Sequence, residues 1–184
     1  MELKSVNPFK SVILIREICV ISLNLRYMKI QLWSIGKNHE PYVKLGVEDF
    51  TKRIEKYFSV EWILIPTPKN AGMLGEPDLK KREGETIMEW LQNDDYFVLL
   101  DERGKQFSSG SLATFLQTRA NDRTKKLVFL IGGIYGVDEA VFKRANLVWS
   151  LSQLVFPHQL VRLMLAEQLY RACTILRNEK YHHA

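Results

Sequence analysis

Gly132, Gly133 and Gly136 follow an apolar run, Leu127–Ile131, in the order Gly-Gly-x-x-Gly. A second apolar run, Leu147–Ser150, leads into Leu151, Ser152, Gln153, Leu154, Val155 and Phe156, which match neither helical nor strand periodicity. Glycine at a strand end lets main chain or a ligand approach closely. An irregular apolar segment leaves N–H and C=O groups that need partners. A flat heterocycle such as adenine meets that need, with Leu151, Leu154 and Phe156 as apolar walls. Pro157 and His158 then open a helix that carries Arg162 one turn on, so His158 and Arg162 share a face. Free N–H groups and the positive end of the dipole at a helix start suit phosphate or a developing anion. Each of these features also has a purely structural reading: a tight turn, a packed loop, a capping or core histidine, and a surface ion pair.

Other chemistries find less support. The glycine spacing is not G-x-G-x-x-G, and no acid stands about 20 residues on to take a ribose hydroxyl. Tyr181, His182 and His183 close the chain, as a tail folded over a pocket or as a frayed end. Adjacent histidines do not make a metal site, and no metal is expected. No Ser/His/Asp set, no paired carboxylates and no P-loop stand out.

Two strand ends followed by irregular backbone point to a pocket at the carboxyl edge of a parallel sheet. The rest of the chain supplies that sheet. From Met28 strand and helix patterns alternate: strand Lys29–Ile35, helix Glu40–Phe58, strand Val60–Ile65, and a mobile loop Thr67–Pro77. A helix capped by Asp78 runs to about Leu91, followed by a short strand Tyr96–Leu100 closed by Asp101–Gly104. Helix Ser108–Asn121 precedes the glycine-bearing region, and a last helix spans roughly Gln159–Arg177. This alternation predicts an α/β fold with a mostly parallel sheet covered on both faces. The last helix has two apolar patches, Leu160/Leu163/Met164 and Val161/Leu165/Leu169/Ala172/Leu176. The second patch predicts a homodimer; burial as a central helix of the monomer is the competing reading. Glu167 and Arg171 are placed to pair at i,i+4.

The 184 residues suit one domain, with 46% apolar and 26% charged residues. Residues 1–27 read as a leader outside the domain, with an extra edge strand as the alternative. Val12–Leu25 is interrupted by Arg16 and Glu17, so it is no membrane span. The leader carries a net +2 and residues 28–184 the other +3 of the formal +5. A pI of about 9.2 is compatible with an RNA partner. The two cysteines, Cys19 and Cys173, form no CxxC, which argues against a disulfide framework or zinc and fits a reducing cytoplasm.

LWSIGK near Met28, LLDERGKQFSS, FLIGGIYG, SLSQLVFPHQLVRLMLAEQLYRA and the final Tyr-His together resemble the RlmH family of SPOUT methyltransferases, over essentially all of residues 28–184. The resemblance implies a SPOUT-type α/β fold with a C-terminal trefoil knot, a homodimer, and S-adenosylmethionine held in the knot. It implies methyl transfer to N3 of a pseudouridine in 23S rRNA of the large ribosomal subunit. Carried over by position, Leu100, Gly132 and Leu151–Phe156 contact the cofactor. His158, Arg162, Tyr181 and His182 are the candidates for managing the N3 proton, with Arg162 stabilising the anion. The place after Tyr-His, basic in the family, is His183 here, which weakens a phosphate contact near neutral pH. Lys80–Arg82, Lys125-Lys126 and Lys143-Arg144 offer further phosphate contacts, or are solvated faces. Two rival functions fit the same residues: a non-catalytic RNA-binding dimer of this fold, and a small-molecule nucleotide enzyme.

Overall fold

A computed structural model describes residues 27–181, so the readings of residues 1–26, His182 and His183 lie outside the described residues. Five strands form one sheet: β1 (Lys29–Ile35), β2 (Ser59–Ile65), β3 (Tyr96–Gln106), β4 (Lys126–Ile131) and β5 (Leu147–Ser150). Their spatial order is β2-β1-β4-β3-β5, and every pairing is parallel. The helices are α1 (Pro41–Ile54), α2 (Glu76–Trp90), α3 (Ser109–Asn121), α4 (Glu139–Arg144) and α5 (His158–Leu176).

The central strand β4 shows why both sheet faces must be covered. Its side chains alternate between two cores. Leu127, Phe129 and Ile131 join residues of α1, α3 and α5, including Ile54, Leu116, Leu165 and Leu169. Val128 and Leu130 join Ile87 of α2 and Val141 of α4 on the opposite face. Burial of each such side chain is worth about 1.5–3 kcal/mol. A strand apolar on both faces is stable only between two helical layers.

Three expectations from the sequence need correction. Asp78 does not cap α2. Gly75 occupies the cap position with extended backbone, and a proline in the first turn starts the helix earlier. The loop read as Thr67–Pro77 ends earlier, because α2 already begins at Glu76, and Ala71–Met73 within it forms a 3-10 turn. Strand β3 does not stop at Leu100. It bulges over Asp101–Gly104 and resumes pairing, so that Trp149 of β5 lies opposite both Leu100 and Lys105. Arg103 closes the bulge by donating from Nε and Nη2 to Asp101, both at 2.7 Å. A Cβ at Gly104 would lie 2.7 Å from the Val148 carbonyl and 2.8 Å from that of Trp149, so only glycine fits this crossing.

Helix α5 is more enclosed than a one-stripe surface helix. Leu165, Leu169 and Ala172 are fully buried in the monomer. Leu163 presses on α1 so closely that a Cβ at Gly46 would sit 2.7 Å from its Cδ1. Much of the apolar circumference that suggested a partner is thus used within one chain. Arg171 and Glu167 pair at 2.5 Å as their spacing requires.

Candidate functional site

The carboxyl ends of the strands carry two cavities, separated by the turn that follows β4. This turn is a consequence of the three glycines. Gly136 donates its N–H to Gly133 at 2.8 Å and has φ +81°, a conformation glycine adopts without strain. A Cβ at Gly132 would crowd Val137 Cγ1 at 3.1 Å and the Gly136 carbonyl at 3.3 Å.

The larger cavity, about 460 Å³, opens over β3, β4 and β5. Leu100, Gly132, Leu151, Ser152, Leu154 and Val155 line it, as do Phe156 and His158. Gln153 does not reach it. Ser152 turns inward to accept from Leu154 N–H at 3.0 Å, and its carbonyl accepts from Ser150 at 2.8 Å. The main-chain groups of Val155 and Phe156 have no hydrogen bond among the described residues. The volume, and the unpaired main chain beside the apolar Leu151, Leu154 and Phe156, suit an adenosyl group.

His158 begins α5 and lines both cavities. Its pKa is lowered from 6.5, first by burial and then by the charge of Arg162, with a hydrogen bond to the Gly132 main chain opposing them. The imidazole is therefore neutral at neutral pH.

Arg162 lines neither cavity. It is 1% exposed and donates from Nε to Ser34 Oγ at 2.9 Å and from Nη1 to the Lys37 carbonyl at 2.9 Å. Nη2 donates to the Ile35 carbonyl at 3.4 Å. It is not a surface ion pair but a buried fork that ties α5 to the end of β1. Gly36 follows that end at φ +113°, with Arg162 Nη2 3.9 Å from where its Cβ would lie. His39 Nδ1 is 3.4 Å from Arg162, and burial, then Arg162, lower the His39 pKa.

Tyr181 is not brought to this chain's own cavities. Its hydroxyl donates to Glu167 at 3.2 Å, and its ring packs 4.7 Å from that of Tyr170. Glu167 lies nine positions along α5 from His158, about 14 Å at the rise of a helix.

The smaller cavity, about 270 Å³, opens over β1 and beside β4. Gly36, Thr67, Leu74 and Gly133 line it, along with Glu83 of α2. Sequence reading missed Glu83. The available signal was its place in an apolar stripe: Leu79, Glu83 and Ile87 follow at steps of four, with exposures of 4%, 5% and 0%.

A parallel α/β sheet whose strand-end cavity is walled by irregular main chain and the start of α5 is an architecture for holding a nucleoside-bearing cofactor. The family described as "Predicted SPOUT methyltransferase" matches residues 28–182, and the chain belongs to that family. The chain is 48% identical over 156 residues to the Ribosomal RNA large subunit methyltransferase H of Cytophaga hutchinsonii, covering 85% of this chain and 100% of that protein. Proteins of the same name are similar to it in Christiangramia forsetii, at 47% identity over 85% and 99% of the two chains, and in Trichlorobacter lovleyi, at 41% over 85% and 100%. SPOUT methyltransferases generally use S-adenosylmethionine. No helix among the described residues is long and apolar enough to cross a membrane.

Proposed function

We propose that this chain methylates N3 of a pseudouridine in 23S rRNA of the large ribosomal subunit, with S-adenosylmethionine as donor. The carrying observation is the meeting of Leu100, Gly132, Leu151, Ser152, Leu154, Val155, Phe156 and His158 around one 460 Å³ cavity. Whole-length similarity to proteins named for large-subunit rRNA methylation supports the substrate.

When bound, the cofactor supplies an activated methyl group on a sulfonium, so no metal is required. The chain's task is placement and proton management. Val155 and Phe156 offer main-chain groups to an adenine edge, while Leu151, Leu154 and Phe156 flank its faces. The glycine turn brings main chain to the reacting end. His158, neutral at the rim of both cavities, accepts the N3 proton at a ring nitrogen as nitrogen becomes nucleophilic. Arg162 acts through others: it fixes the β1–α1 junction and biases His158 toward its neutral form. Tyr181 and His182 remain proposed participants, although within one chain Tyr181 serves the far part of α5.

A homodimer remains part of the proposal, on different residues from those that first suggested it. Ile134, Leu154 and Val155 are 73%, 69% and 85% exposed around the cavity mouth. Apolar exposure of this kind beside a site suits a partner surface. The family's trefoil knot is part of the same proposal. The cytoplasm, where ribosomes are assembled, is the proposed location.

The test is mass-spectrometric mapping of 23S rRNA with and without this chain. One pseudouridine is expected to lose a methyl group when the chain is removed. An unchanged modification map overturns the reading.

A further inference from the structure

Glu83 is 5% exposed, yet its carboxylate makes no hydrogen bond or ion pair among the described residues. Its oxygens are not fully enclosed: they open onto a cavity, where a donor on a ligand can reach them. Burial alone raises its pKa from 4.5, with no charged group opposing. The carboxylate borders the 270 Å³ cavity. It also lies directly against Gly133, where a Cβ would collide with Glu83 Oε2. Its place is thus at the turn that divides this cavity from the larger one.

We propose that the smaller cavity receives the extruded target base and that Glu83 accepts a ring N–H of that base, which makes it a specificity-determining residue. This inference rests on the reading of the chain as a pseudouridine methyltransferase. The two cavities share Gly133, Ile134, Tyr135 and His158. An occupant of one therefore faces an occupant of the other across a single turn, the relation that methyl donor and acceptor require. The walls are those of a base pocket: Ile35, Leu74 and Leu79 are apolar, and Glu83 is the unpaired acceptor. A base inside a folded RNA reaches such a pocket only by leaving its stack.

An ionised carboxylate offers acceptors only, so it selects for N–H on the ligand. Uridine has one ring N–H, at N3. Pseudouridine has two, at N1 and N3, on either side of the C2 carbonyl. Glu83 on N1–H leaves N3 free to face His158 and the donor. Uridine presents no N1–H and leaves Glu83 buried and unpaired. A site that hydrogen-bonds its substrate rejects an analogue lacking the donor for this reason.

The experiment compares methyl transfer by the full chain to large subunits carrying pseudouridine or uridine at the target position, for wild type, Glu83→Gln and Glu83→Asp. Wild type should strongly prefer pseudouridine. Glu83→Gln, which loses the charge and keeps a single neutral acceptor, should lower kcat/KM for pseudouridine on the order of 10²-fold and narrow the preference for it. Glu83→Asp keeps an anionic acceptor and should retain part of the preference. Affinity for S-adenosylmethionine, read by calorimetry, should be unchanged in both variants, which also reports that they are folded. A Glu83→Gln protein that keeps full preference overturns the inference, and so does one that loses cofactor affinity instead. If wild type methylates neither substrate, the proposed function falls. Titration of free pseudouridine and uridine then decides the cavity assignment on its own, since equal binding to wild type and Glu83→Gln overturns it.

Discussion

The two halves of the sheet's carboxyl edge are built by different means. Over β3, β4 and β5 the cavity is bordered by the glycine turn and by the irregular run, in which the main-chain groups of Val155 and Phe156 are unpaired among the described residues. Over β1 and β2 the polar character comes from side chains, Glu83 and Thr67, set among apolar neighbours. A wall of main chain tolerates changes of side chain and fails only when backbone is displaced. A single buried carboxylate fails when one atom is changed. His158 belongs to both halves, so its loss should be felt most.

His158→Ala should lower kcat by 10²–10⁴-fold, the usual range for a proton-transfer group, while cofactor binding persists. The pH profile sharpens this. Because burial and Arg162 lower the His158 pKa below 6.5, its ring stays unprotonated through neutral pH, and activity should fall only as pH drops below that value. His158 variants should lose this acid limb in a rate–pH measurement. An unchanged limb would assign the proton to another group.

Gly132→Val tests the main-chain half. The added carbons meet Val137 and the Gly136 carbonyl, and overpacking of this kind costs about 1–3 kcal/mol. Calorimetry should show a cofactor affinity roughly 10- to 100-fold weaker, with the fold retained by circular dichroism. Equal affinity would detach the turn from the site. Arg162→Lys comes next. It keeps the charge but loses the fork that holds Ser34, Lys37 and Ile35, and denaturant unfolding should show a loss of about 1–2 kcal/mol. Gln153→Ala should do least, under about 2-fold in kcat/KM, because a truncation that leaves exposed surface and main chain in place is within about 0.5 kcal/mol. A large effect there would mean that side chains, not main chain, make the first cavity.

The same contrast explains what could be read in advance. Strands Lys29–Ile35 and Leu147–Ser150 begin and end where their apolar runs suggested. The irregular Leu151–Phe156 announced itself by fitting no period, and five of its six residues line the cavity. Main-chain sites leave such a trace because backbone that leaves a ladder breaks the pattern. The second cavity left almost none. Glu83 is one charge in an apolar stripe, and nothing local says that α2 will face the β4 turn. Arg162 shares a helical face with His158, but its burial depends on the carbonyls of Ile35 and Lys37, 125 or more positions away. The extension of β3 past Asp101–Gly104 needed β5 as a pairing partner, which the β3 sequence does not contain.

The most direct measurement is an experimental structure of the chain with S-adenosylhomocysteine. The account predicts the adenine against the main chain of Val155 and Phe156, with the sulfur directed past the Gly133 turn toward His158 and the Glu83 cavity left open. A nucleoside seated in the Glu83 cavity, or a larger cavity that stays closed to the ligand, would contradict it.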